Sequence, residues 1–203
     1  TTSNDKCSNG GAATVCKVGD IGPGGGIVFY DAGKEEYWGR YLEMAPQSCE
    51  GVRYPWRPAG NDKTVYTPQG DQTAAELRLV AKGMGMGKVN TRIITLALGA
   101  LALGDGTYAA KYAEDLTCSG VDDWFLPSKD ELDLAYNRLA QNRVGGQDTP
   151  VGGFNKGYYW TSSDYNNSTA WTQYFMDGQQ FDRVQTLRGN RLPPANPFRV
   201  RPI

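Results

Sequence analysis

The chain has 203 residues, enough for one buried core and short for two full domains. Its formal net charge is −1, so no global field draws it to nucleic acid or to an anionic membrane, and neither is expected as a partner. Histidine is absent, which removes the default general base, the Ser/His and Cys/His nucleophile pairs and the commonest metal ligand; no enzyme activity, metal or cofactor is expected.

The first seventeen residues read as a polar lead-in tied by a disulfide, and residues 18–203 as one domain. Cys7, Cys16, Cys49 and Cys118 contain no Cys-x-x-Cys pair, so zinc and thioredoxin-like chemistry fit poorly. An even number, widely spaced, fits two disulfides in an oxidising compartment. We expect Cys7–Cys16 and Cys49–Cys118, one of the three connectivities open to four cysteines. The opening Thr-Thr-Ser-Asn resembles the start of a trimmed secreted product.

Gly19-Asp20-Ile21-Gly22-Pro23-Gly24-Gly25-Gly26 is a glycine-rich turn feeding an apolar strand, Ile27 to Asp31. Phosphate cradles follow a strand and open a helix, which is the reverse order, so a hairpin turn is expected. Tyr41 to Pro46 is a second strand stopped by proline, and residues 50–72 form a Pro/Gly/Trp loop.

Gly83-Met84-Gly85-Met86-Gly87-Lys88 also resembles a nucleotide loop, but Val89 stands where a hydroxyl should follow the lysine. A helix capped by Asn90 and carrying Ile93, Ile94, Leu96, Ala97 and Leu98 is expected instead. The apolar run Ile93–Leu103 is too short to cross a bilayer. Thr107 to Leu116 repeats Tyr108, Ala109, Tyr112, Ala113 and Leu116 at helical steps.

Trp124 to Leu126 reads as a short strand before Pro127. Ser128 and Glu131 then have the spacing of a capping box, and Leu132, Ala135, Tyr136 and Leu139 form an inward helical face. The pairs Asp122-Asp123 and Asp130-Glu131 also match the acid and base of a glycan-cleaving enzyme, but capping and solvated charge explain them more simply.

After the glycine-punctuated stretch 145–157, three strands are expected: Tyr158 to Ser162, Ala170 to Met176 and Phe198 to Arg201. The spacer 177–197 is polar. Asp164, Tyr165, Asn166, Asn167, Ser168 and Thr169 mix an aromatic ring with amide, acid and hydroxyl groups. Gln179, Gln180, Asp182, Arg183, Gln185, Arg188, Asn190 and Arg191 continue that character. Rings supply contact area at low entropic cost and polar groups set orientation, the composition of evolved binding surfaces. The candidate ligand-binding residues are therefore Asp164, Tyr165, Asn166, Asn167, Trp171, Gln179, Gln180, Asp182, Arg188, Asn190 and Arg191. Tyr165 and Trp171 are the expected platforms, although Trp160 and Trp171 also suit a core. Asn166 and Asn167 head overlapping Asn-x-Ser/Thr sequons.

Seven segments in order resemble a known family: 19–30, 41–46, 123–132, Tyr-Trp-Thr-Ser-Ser at 159–163, Ala170-Trp171, Phe-Met-Asp-Gly at 175–178, and the final Arg-Val-Arg-Pro-Ile. Over about residues 18 to 203 the chain resembles the C-terminal domain of the bacterial collagen-like adhesin, found in bacterial surface and phage proteins. The resemblance implies an α+β, C-type-lectin-like fold, akin to formylglycine-generating enzymes. In it, irregular antiparallel sheets carry two or three helices and the chain termini pair in one sheet. It does not bring formylglycine chemistry, for no matching cysteine pair occurs, nor calcium chelation, for Glu-Pro-Asn, Gln-Pro-Asp and Trp-Asn-Asp are absent.

The expected role is an extracellular or virion-surface binding and adhesion domain. Its partner would be a glycan or a cell-surface protein, and it would form a homo-oligomer, either trimer or filament. The alternatives are a structural subunit of an extracellular fibre or pilus-like appendage, and a carboxylate-based glycan-cleaving enzyme.

Overall fold

The computed structural model describes residues 7, 15–58, 81–98, 107–141, 151–166, 168–184 and 198–203. Strand β1 (Ile27–Asp31) pairs antiparallel with β2 (Tyr41–Met44) in a two-stranded ribbon. A 3-10 turn at Gln47–Cys49 leads to the two-residue β3 (Gly51–Val52). Helices α1 (Met86–Leu98), α2 (Ala109–Glu114) and α3 (Lys129–Ala135) follow, the last running into a π-helical turn at Tyr136–Ala140. Strands β4 (Tyr158–Asp164), β5 (Thr169–Tyr174), β6 (Gln180–Val184) and β7 (Phe198–Val200) complete a five-stranded sheet in the order β3-β7-β4-β5-β6.

Alternation along β4 divides the interior into two. Trp160, with Ala170, Phe198 and Val200, packs on Ile94 and Leu98 of α1 and the alanines of α2. Tyr159 faces the other way, among Phe29, Leu42 and Met44 of the ribbon and Leu132, Ala135, Tyr136 and Leu139 after the capping box. The sheet is thus the middle layer, as an α+β domain with irregular sheets and three helices requires. The Cys7–Cys16 and Cys49–Cys118 bonds form. Among the described residues no helix is long and apolar enough to cross a membrane.

Four local expectations change. The first and last strands do not share a sheet: β1 pairs with β2, whereas β7 lies between β3 and β4 and runs parallel to β4. Beside β2 and β7 the two sheets are joined where the Ala45 N–H, just past β2, donates to the Pro202 carbonyl at 2.9 Å and the Ala45 carbonyl accepts from Arg201 Nε at 2.6 Å. Asn90 is not a cap but lies buried inside α1, donating to the Ala81 carbonyl at 2.6 Å and the Ser162 hydroxyl at 3.1 Å. The helix starts earlier, after Gly85 takes φ +79° and breaks the preceding backbone.

Trp124–Leu126 is extended but forms no regular strand. Phe125 exchanges two backbone hydrogen bonds with Ile203, while the Leu126 N–H is taken by the Thr91 hydroxyl at 2.9 Å. Conversely, the spacer after Asp177 contains a strand, β6, whose polar side chains concealed it.

Candidate functional site

Two glycine-rich loops carried the look of phosphate sites, and each holds a carboxylate of the chain itself. Gly24 and Gly26 donate their N–H groups to the two carboxylate oxygens of Glu43, each at 3.0 Å. A Cβ on Gly22 would overlap the Glu43 carboxyl, and one on Gly26 would lie 2.7 Å from the Met44 carbonyl. The second loop closes on Glu131: Gly85 and Gly87 donate to Oε1 at 2.7 and 3.4 Å, and Ser128 donates its N–H to Oε2 at 2.7 Å. The expected capping box is present, with the Glu131 N–H donating to the Ser128 hydroxyl at 3.3 Å.

Glu131 is therefore fully buried, with both oxygens bonded to backbone, while Asp123 is exposed. Burial pushes the Glu131 carboxyl up to about 7, against the pull of hydrogen bonds from Ser128, Gly87 and Gly85. Among the described residues no group of three or more acidic or cysteine side chains is placed to hold a metal ion.

The exposed chemistry gathers at the β4–β5 hairpin. Asn166 builds its turn: its Oδ1 accepts from the Ser168 and Thr169 N–H groups at 2.8 and 2.9 Å. That closure leaves Tyr165 45% exposed, with its ring edge-on to Trp171 at 5.1 Å between centroids. Trp171 is half-buried, and the Lys82 and Lys129 ammonium groups lie 5.4 and 4.9 Å from its ring centroid. Each contact of this type contributes about 0.5–2 kcal/mol.

Both lysines sit on braced backbone. The Lys129 N–H donates to the Ser163 hydroxyl at 3.0 Å and its carbonyl accepts from the Gln180 amide at 2.9 Å. The Lys82 carbonyl accepts from the Asp130 N–H at 2.9 Å. Among the described residues neither ammonium is in an ion pair, and the buried Trp171 Nε1–H has no acceptor. Among the described residues the face thus presents two cations outside any ion pair beside an exposed phenol, while the indole N–H is shut off from solvent. It suits a partner bearing acidic or hydroxyl groups and a flat apolar surface.

The expected contact residues divide. Tyr165 and Trp171 come together, with Asp182 exposed on β6 opposite Trp171. Gln179 is exposed in the β5–β6 turn. Gln180 is half-buried, and its amide is used on Lys129 and Gln173. Asp164 is only 3% exposed, so it faces the interior rather than a ligand, as do its neighbours along β4, a central strand buried on both faces. Asn166 serves the turn. Asn167, Arg188, Asn190 and Arg191 lie outside the described residues. Lys82 and Lys129 were missed: Lys129 lay inside the capping motif, and nothing around Lys82 signals a site.

No family model matches the chain, and no curated protein sequence does. Among solved structures it is similar to a fimbrial protein from Bacteroides ovatus, with a TM-score of 0.45 and 12% identity. That likeness covers 83% of this chain and 36% of the fimbrial protein, so the chain spans about a third of its length. So distant a likeness carries no argument about role.

Proposed function

We propose that the chain is an extracellular surface domain that works by contact, with Trp171, Tyr165, Lys82 and Lys129 as its contact site. The carrying observation is the pair of lysines that, among the described residues, form no ion pair and share one half-buried indole. Buried or half-buried cations are ordinarily paired, so an unpaired couple beside an exposed ring is a surface held ready for a partner. The two disulfides fit the oxidising compartment that this reading needs. The resemblance to the collagen-like adhesin domain supports a glycan or cell-surface protein as the partner.

A glycan and cell-surface binding screen tests the reading. Wild type should bind a subset, and W171A and the K82M/K129M pair should lose it while remaining cooperatively folded, with a melting transition lowered only by the ring contacts removed. Wild-type binding that survives both variants would place the site elsewhere.

A second reading, a building block of a fibre or pilus-like appendage, is favoured by a different observation. Strand β6 is the outermost strand in the sheet order, and among the described residues nothing pairs with its outer side. A strand edge of that kind is a template for another chain. Light scattering and negative-stain microscopy separate the two: a polymer grows with concentration, whereas a binding module stays small.

A further inference from the structure

A cavity of about 240 Å³ lies between α1 and the segment that leads into α3, away from the Trp171 face. One wall carries Lys88 and Arg92, one helical turn apart on α1, so both project to the same side. The other wall carries Asp122 and Asp123, both exposed. Between them the floor is Trp124 and Phe125, and Thr91 and Glu114 complete the lining. The Trp124 Nε1–H donates to the Cys118 carbonyl at 3.3 Å, and the Phe125 N–H and carbonyl are spent on Ile203. With the indole N–H and the Phe125 backbone spent in this way, the two rings offer apolar contact.

The charges on the two walls do not meet. Arg92 is partly neutralised by Glu114 at 3.3 Å, but among the described residues Lys88, Asp122 and Asp123 form no ion pair and no side-chain hydrogen bond. Opposite charges that line one cavity without closing on each other ask for a ligand that carries both. Charge-assisted hydrogen bonds to the two charged groups are the strong ones, and the apolar floor takes the side chain that branches from beside them. The volume falls below the roughly 300–1,000 Å³ of sites for drug-sized ligands, so the ligand is small.

The geometry points to a binding site for a free α-amino acid with an apolar or aromatic side chain. Its carboxylate faces Lys88 and Arg92, its ammonium faces Asp122 and Asp123, and its side chain lies on Trp124 and Phe125. This site is independent of the contact surface at Trp171.

The test is a titration of the full chain with L-phenylalanine and L-leucine, followed by calorimetry and by the Trp indole N–H resonances. Parallel titrations use L-phenylalaninamide, which lacks the carboxylate, and N-acetyl-L-phenylalanine, which lacks the ammonium. Saturable binding of the amino acids is expected, weakened about tenfold or more in either derivative, the scale of one lost charge-assisted bond. K88M should weaken the amino acid but leave the amide unchanged. D122N/D123N should weaken the amino acid but leave the N-acetyl form unchanged. All three substitutions are on the cavity rim, so unchanged melting temperatures will show that the variants are folded. No saturation at millimolar amino acid, equal binding of either derivative, or indifference to both variants overturns the proposal.

Discussion

Glu50 and Arg201 meet at 3.0 Å with both side chains buried, 0% exposed for Arg201 and 4% for Glu50. Glu50 also accepts from Arg199, from the Tyr159 hydroxyl at 2.7 Å and from the Asn155 amide at 2.9 Å. Arg201 donates in turn to the Ala45 and Gly152 carbonyls and lies over the Phe154 ring. One carboxylate near the start of the sheet thus anchors the last five residues of the chain. Burial pulls the Arg201 guanidinium down and Glu50 draws it back up.

E50A leaves the fully buried Arg201 guanidinium without its anion and deprives the partly exposed Arg199 of its partner. It should cost about 3–5 kcal/mol, the usual loss when one partner of a buried pair is removed. Urea unfolding measures it; a loss below about 1 kcal/mol would put the pair among solvated surface contacts.

G22A should destabilise the fold, because its methyl occupies the space of the Glu43 carboxyl. Overpacking of this kind costs about 1–3 kcal/mol. E43A alone should also destabilise, since it strands the Gly24 and Gly26 N–H groups. The double variant should cost less than the two singles added, which a thermodynamic cycle reads directly. Additive losses would mean that the loop does not wrap Glu43.

The fold should weaken as pH rises from acid to neutral through Glu131. Its carboxyl is raised from 4.5 to about 7, so between those values the folded chain keeps a proton the unfolded chain has released. The stability this group contributes is complete below pH 4.5 and is lost as pH rises through 7, about 3 kcal/mol in all. E131Q, a neutral isostere, should flatten that part of the profile. Parallel profiles for wild type and E131Q would assign the slope to other groups.

Removing Cys49–Cys118 should cost more than removing Cys7–Cys16. The first spans 69 residues and the second 9, and a longer loop leaves the unfolded chain more freedom to regain. The C49A/C118A pair should lose about 2–5 kcal/mol by chemical denaturation. Equal losses would show that local packing, not loop closure, sets the effect.

Lys82→Met with Lys129→Met should cost only about 1–2 kcal/mol, the loss of two partly solvated cation–π contacts to Trp171, since neither ammonium is in an ion pair among the described residues. A large drop in melting temperature would mean that the lysines support the hairpin rather than wait for a partner.

The sequence by itself determined whatever is written within a few residues. The Ser128–Glu131 capping box is a three-residue step, the inward face Leu132–Leu139 is a helical period, and Tyr158–Ser162 is an apolar strand before a turn. It also named Tyr165 and Trp171 as platforms, but that the two rings meet was decided by the β4–β5 pairing. Tertiary structure alone decided the rest. Which carboxylate fills each glycine loop depends on Glu43 and Glu131 arriving from other elements, 19 and 46 residues from their farthest glycine donors. Lys82 reaches Trp171 only through the packing of α3 against the hairpin. Strand β6 looked like polar spacer because an outer strand carries solvent-facing residues that obscure its alternation. Local hydrogen bonding is encoded in spacing, whereas the meeting of distant side chains is encoded only in the packed core that brings them together.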